Sequence, residues 1–581
     1  VIRPAFLLLA ATALIAPAHA QTALFSPQRL ASHVNVLGSD AYEGRGVATR
    51  AETKTVAYIV QQFQEAGLQP GGAVVNGQRT WTQPVPLLKS DLVGDPVVTV
   101  QTANGGLRLV QGTDIALRSP MNGANQIRLA NAPLVFVGYG VAAPERGWDD
   151  FKNVDVRGKI LVVLVNDPDF EAAAGEPVAG KFGGKAMTYY GRWTYKYEEA
   201  ARRGAAGMMV IHETAPASYG WNTVKNSNTN TMFDIVRQNP AASHTGFESW
   251  ITLDTAQKLF RAAGLDYAQM KVAARRPDFR PVDLKASLSA TANATTQVIN
   301  SANVVGLLPG KTRPDETVIY SAHWDHLGIG KPDARGDTIY NGAVDNATGV
   351  SQLIEQARAF ARGPRPDRSI VFLAVTAEEK GLLGSEYYAR NPLYPLGKTV
   401  GMLNTDSMGV HGRARDFSIS GTARLELLDT LVDEARKQNR VFTPDSHPES
   451  GGFYRSDHFS MAKVGVPAVS YESGGDLVNG GVARAEAIGK EYVTNRYHQP
   501  ADEVQPDWDY SGMVEDAALL HAVGLRLANS NAWPNWSADS EFRATRDQTA
   551  ADRGLSAVAP APQPVAPPAP PAPAARPGER G

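Results

Sequence analysis

The sequence contains no cysteine. That absence excludes disulfides, thiolate metal sites, a cysteine nucleophile and a lipid-anchored amino-terminal cysteine. Neither sign of charge dominates: 57 Lys+Arg against 59 Asp+Glu leave a formal −2, so no basic field marks the chain for nucleic acid. Long apolar runs are missing as well. The best, Phe6 to Ala16 broken by Thr12, is roughly a dozen residues against the roughly 20 of a membrane helix. With Arg3 before it and Ala18-His19-Ala20 after it, residues 1–20 read as a signal peptide rather than an uncleaved anchor. The expectation is an exported bacterial protein, periplasmic or secreted, with no stable membrane insertion after cleavage; such compartments tolerate a chain without disulfides.

What is present is patterned in blocks. A chain of 581 residues exceeds one ordinary core and predicts two folded domains. Val56, Ile59, Val60 and Phe63 recur at helical spacing, closed by Gly67. From Trp81 to Pro120 short alternating segments such as Val97–Val100 predict strands. Next come strands at Leu134–Val137 and Ile160–Val165, a helix at Tyr195–Arg203 and a strand at Met208–Ile211. The run "NVDVRGKILVV" followed by "EEAARRGAAGMMVI" resembles the protease-associated (PA) domain over Asn131 to Glu213, although an ordinary strand–helix–strand unit gives the same pattern. After Ala302, strands and helices alternate. This predicts an α/β domain with a mixed, mainly parallel sheet covered by helices on both faces, whose ligands sit at the carboxyl ends of strands. The expected divisions after the signal are 21–90 and 296–531 for that domain, 91–295 for a β-rich PA-containing insert, and 532–581 for a disordered Ala/Pro-rich tail.

The acidic and imidazole side chains cluster just behind the apolar strands. "VIYSAHWDHLG" supplies His323 and Asp325, "NGAVDNATG" Asp345, and "IVFLAVTAEEKGLLGS" Glu378 and Glu379. "VGMLNTDSMG" supplies Asp406 and "NRYHQPADEV" His498. Taken singly, each has a bland explanation: Asp345 as a helix cap, the Glu pair as a solvated first turn, His498 as a loop histidine. Five segments delivering such groups to one sheet edge would repel one another unless divalent cations resolve the conflict. Nitrogen and oxygen donors without sulfur suit zinc in a catalytic role.

These residues, in the order HxD, D, EE, D, H, resemble the M28 family of metallopeptidases, and "LGSDAYEGRG" resembles its usual opening. The resemblance runs from about Leu30 to Asn529. It implies two Zn2+ ions: His323 and Asp406 on one, Glu379 and His498 on the other, Asp345 bridging. It further implies that Asp325 accepts the second ring N–H of His323, that Glu378 is the general base, and that Tyr497 stabilises the oxyanion. Tyr454, and His458 of the Ser456–His458 "SDH" segment, are further candidates; His326 is split between a supporting contact and the surface. His33, His212, His244, His411, His447 and His521 read as structural.

The implied function is removal of amino-terminal residues from peptide substrates. The rivals are a carboxypeptidase of the glutamate carboxypeptidase II type, a one-zinc glutaminyl cyclase-like transferase disfavoured by the insert, and a non-catalytic binding protein, disfavoured because no ligand is missing. A carboxypeptidase needs arginines for a carboxylate; Arg413, Arg415 and Arg455 are the candidates.

Overall fold

A computed structural model describes residues 24–556 apart from Ala423. The expected signal peptide and the run 557–577 lie outside the described residues. Helix α1 (Pro27–Leu37) precedes α2 (Arg50–Ala66). In α2, Ala51, Thr55, Ile59 and Phe63 make one buried stripe. The Thr49 hydroxyl caps its start, and Gly67, at φ 93°, supplies the left-handed turn that ends it.

Strands β1 (Thr82–Thr102), β2 (Ile115–Leu117), β3 (Gln126–Phe136) and β4 (Ile160–Leu164) follow, then α3 (Trp193–Arg202), β5 (Gly207–His212) and β6 (Phe247–Thr252). The 27-residue β7 (Val282–Leu308) leads into β8 (Arg313–His323), α4 (Gly349–Arg362), β9 (Arg368–Val375) and α5 (Leu383–Arg390). Strands β10 (Thr399–Thr405) and β11 (Asp416–Ile419), helices α6 (Glu426–Lys437) and α7 (His458–Lys463), strand β12 (Ala468–Ser473), and helices α8 (Gly481–Asn495) and α9 (Ser511–Asn529) complete the main elements.

One continuous sheet runs in the order β11-β12-β10-β8-β9-β7-β3-β4-β5-β6-β2. Two parallel blocks lie within it: β12-β10-β8-β9 and β3-β4-β5-β6. Between them β7 is antiparallel to β9 on one side and to β3 on the other, with β1 laid along it. The burial of β7 records this double duty. Its first half alternates exposed and buried; from Asn303 to Gly306 every residue is buried. The first pattern fits a half-covered sheet and the second an interior strand. The main core packs α1, α2, α4 and α9 against β8 and β9, with Trp324 and Phe63 completely enclosed. Truncating either aromatic to alanine costs about 3–5 kcal/mol.

Two features differ from expectation. Residues 532–556, grouped with the disordered tail, fold onto the body. Trp536 is 1 % exposed and donates its indole N–H to Gly465 O at 3.0 Å, while Phe542 stacks on Phe453. Two buried aromatics give this stretch a grip that the Ala/Pro composition further on lacks. Helix α8 gave no periodic signal because none of its residues is buried. Among the described residues no helix is long and apolar enough to cross a membrane.

Candidate metal centre

The acids and imidazoles converge at the carboxyl ends of the β9-β8-β10-β12 block. His323 is the last residue of β8 and is buried. Its Nε2 lies 3.2 Å from Asp345 Oδ1 and 3.2 Å from Asp406 Oδ1. His498, in the left-handed region at φ 58°, places Nε2 at 3.3 Å from Asp345 Oδ2 and 3.1 Å from Glu379 Oε2. Asp345 thus turns one oxygen to each triad. Two donors on one tetrahedral zinc, each about 2.0 Å away, are separated by roughly 3.3 Å. The four imidazole–carboxylate separations match that edge.

The backbone explains the convergence. Asp345 occupies an irregular turn ahead of α4, at φ −103° and ψ 95°. Its N–H and that of Val344 donate to the Asp502 carboxylate at 3.1 and 3.0 Å, tying this turn to the segment that carries His498. Asn346 Oδ1 accepts from the N–H groups of Gly349 and Ser407, and its Nδ2–H donates to Thr405 O. This ties the turn to Asp406. A Cβ at Gly349 would fall 2.5 Å from Thr405 O, so glycine is required where α4 meets the end of β10. Asp406 Oδ2 in turn accepts from the Ser456 hydroxyl at 2.7 Å.

Asp325 acts differently from the expectation. The His323 Nδ1 partner is the main-chain carbonyl of Asp325 at 3.1 Å, and the carboxylate stands 3.9 Å away. That carboxylate instead accepts the N–H groups of Glu378 and Glu379 at 3.1 and 3.4 Å. It fixes the turn after β9, where Ala377 has φ 54°.

His326, Asp345 and Glu379 form a second group whose donor atoms come together. His326 Nδ1, however, is 2.5 Å from Glu379 Oε1, which is hydrogen-bond spacing and too close for two donors on one ion. His498 has the ligand spacing; His326 Nδ1 faces the other oxygen of Glu379, and neither of those two atoms makes a hydrogen bond. His326 is completely buried, which settles its place away from the surface.

Burial penalises every charge here, and the outcome depends on neighbours. For His498 the carboxylates of Glu379 and Asp345 outweigh burial and push the imidazole up to about 10. For His323 burial is likewise outweighed, by Asp406 and Glu378, and its pKa lies well above 6.5. Burial would raise Asp345 and Glu379, but the imidazoles hold both below the usual carboxylate range. Glu378 goes the other way: burial, together with Glu379 and Asp406 against the opposing His323, lifts it well above that range. A carboxyl held near its protonated form beside two ligand triads is suited to moving a proton.

Tyr497 stacks its ring on His498 at 3.9 Å and stays 43 % exposed. Burial of its hydroxyl end, followed by the charges of Asp345 and Glu379, raises its pKa well above 10. Tyr454 is turned away, its hydroxyl donating to Glu541 at 3.1 Å. His458 is enclosed edge-on against Phe453 with neither ring nitrogen bonded, and burial lowers it to about 3. Of the histidines read as structural, His244 is the most engaged, between Asp234 and Glu248 at 3.0 Å each.

Two contributors escaped the sequence reading. Asp502 follows His498 by four residues and looked like any loop acid. Arg45, inside "LGSDAYEGRG", is completely buried and donates to the carbonyls of Trp324, Leu37, Asn341 and Gly342. Its guanidinium is bonded only to main-chain oxygens, and its charge is offset by the nearby carboxylates of Asp345, Asp502, Asp325 and Glu379.

The fold and this constellation define a peptidase-type α/β domain, and the comparison with family models agrees. Residues 303–522 match Peptidase family M28. Over 118 residues it is 36% identical to a "Probable zinc metalloprotease" of Pyrenophora teres f. teres, covering 20% of this chain and 24% of that protein. It is also 36% identical over 166 residues to "Aminopeptidase NAALADL1" of Rattus norvegicus, covering 25% of this chain and 21% of that one. The chain therefore spans about a quarter of the length of the curated relatives it matches. Among solved structures, an aminopeptidase from Aneurinibacillus sp. strain AM-1 aligns over 89% of this chain and 97% of its own, at 17% identity and a TM-score of 0.49.

Proposed function

We propose that the chain is an aminopeptidase using two zinc ions, one held by His323, Asp345 and Asp406, the other by His498, Asp345 and Glu379. The observation that carries this reading is the division of Asp345, whose two oxygens face separate triads at ligand spacing. Zinc held there supplies Lewis-acid polarisation of a scissile carbonyl and brings the pKa of a water to about 7. Glu378 accepts the proton of the attacking water and delivers it to the departing amine; its raised pKa suits both halves of that duty. Tyr497 donates its hydroxyl hydrogen to the oxyanion as the carbonyl becomes tetrahedral. Asp325 positions the Glu378–Glu379 turn, and Asp502 and Asn346 position Asp345. Residues 91–295 are read as a PA-containing insert bordering the mouth, and the leader pattern supports export.

Metal analysis of the purified protein, combined with free and amino-acetylated peptides, tests the reading. About two zinc ions per chain and cleavage of free peptides only are expected. Cleavage of acetylated peptides in preference would turn the assignment to a carboxypeptidase. Hydrolysis that survives exhaustive chelation would remove the metal from it altogether.

A further inference from the structure

The turn that carries Glu378 and Glu379 rests on residues far from it in the chain. Ala377 and Leu383, on either side of it, pack with Val85, Leu87 and Ile235 in one apolar cluster. Lys380 Nζ lies 5.6 Å from the ring centre of Phe233. Phe233 and Ile235 belong to the strand Met232–Ile235, which pairs with β1. A row of alternating charges ties the same strand to α5. Asp234 accepts the Arg237 fork at 2.5 and 2.7 Å, and Arg237 reaches on to Glu386 at 2.9 and 3.2 Å. Glu386 lies in α5, whose first residue, Leu383, donates its N–H to Ala377 O at 3.1 Å.

At the other end of the row stands His244. Its Nε2 lies 3.0 Å from Asp234 Oδ2 and its Nδ1 3.0 Å from Glu248 Oε1. A neutral imidazole has a single N–H, so satisfying both carboxylates requires the protonated ring. The other charges of the network are Arg237, Arg118 at 3.4 Å from Glu248, and the α5 pair Glu386 and Arg390 at 2.8 Å. Burial would lower His244, but Glu248 and then Asp234 outweigh it and push the imidazole up to about 9. That value lies above the ordinary 6.5, so the stabilisation is complete below about 6.5 and is lost as pH rises through about 9. Once the proton leaves, one of two buried carboxylates faces a ring lone pair and loses its donor.

We propose that His244 and Arg237 are positioning residues, through which the segment 234–248 braces the Glu378–Glu379 turn while His244 carries its proton. This rests on the peptidase reading and adds an alkaline limit that originates outside the metal centre. Hydrolysis of trialanine from about pH 7 to about pH 10, by native protein and by His244→Gln, tests it. Glutamine offers one donor and one acceptor end, as the neutral ring does. Native kcat/KM is expected to exceed that of the variant about fivefold near pH 7, a coupling such networks transmit. The two should converge as the pH passes about 9. Titration of the metal centre is common to both proteins and cancels in the ratio. A ratio that stays constant with pH would leave His244 a merely structural part and overturn the proposal. Amide exchange followed by mass spectrometry reads the brace without turnover. Arg237→Lys is the milder change, keeping the charge and losing the fork. Near pH 7, residues 377–390 should exchange at least about threefold faster in both variants, with α9 unchanged. Native-like exchange there in both would overturn the coupling even with hydrolysis intact. Faster exchange in a protein that cleaves nothing would retire the peptidase reading and keep the brace.

Discussion

The chain has two parallel four-stranded blocks on one sheet, and each gathers buried acids near its strand ends. In the β3-β4-β5-β6 block, Asp150, Asp167 and Asp169 are almost completely enclosed, and Lys196 is buried as well. Their oxygens take the main-chain N–H groups of Val141, Thr188, Phe182 and Gly184, and both Asp150 and Asp167 feel the Lys196 charge. In the β9-β8-β10-β12 block, Asp345, Glu379 and Asp406 instead face two imidazoles at ligand spacing. The first cluster is closed by the protein's own cation and amides, and the second presents lone pairs to a common centre. Similar architecture therefore yields a structural knot in one place and a metal-ready site in the other. The partners make the difference, not the number of acids.

Removing the middle of each cluster is the strongest test of that contrast. Asp345→Asn should cost more than about a hundredfold in zinc affinity, beyond the 10–100-fold typical of an outer partner, while the protein still folds. Zinc titration followed by a thermal melt would show both; full zinc content would break the contrast. Lys196→Met should do the reverse, lowering unfolding free energy by about 3–5 kcal/mol because buried acids lose their counter-charge. Denaturant unfolding measures this, and the folded fraction should bind zinc as before. Glu378→Gln should retain metal yet reduce turnover about a hundredfold or more, seen in kcat with little change in KM. Full activity would take Glu378 out of the proton transfer. Asp325→Asn should have the smallest effect. Its oxygens hold the N–H groups of Glu378 and Glu379, so about tenfold is expected in kcat, with His323 still anchored by a main-chain carbonyl. A loss of the ion at His323 alone would restore the role expected from the sequence.

Much of this was legible before any coordinates. The apolar runs that became β8, β9 and β10 stood out because interior parallel strands carry no polar face. His323, Glu378 and Asp406 were legible for the same reason, since each follows such a run at the edge where ligands collect. Tertiary approach, by contrast, leaves no local pattern. Asp502 and Arg45 look ordinary in the sequence, yet one fixes the Asp345 turn and the other lies beneath it. Asp325 was expected to bond the His323 ring, whereas its carboxylate accepts the N–H groups of Glu378 and Glu379. An HxD spacing fixes where the acid sits, not which donor reaches it first. Trp536 was read by the composition around it, while its burial depends on Gly465, 71 residues away.

The sequence by itself determined the strand–helix alternation, the edge on which the acids collect, and the chemistry those donors can support. These follow from periodicity and residue type, which are local. Only the tertiary structure decided how Asp345 divides its oxygens, which histidine stands at ligand distance from Glu379, and which strand lies against the Glu378–Glu379 turn. Each of those depends on ångström separations between segments far apart in the chain, and packing alone sets them.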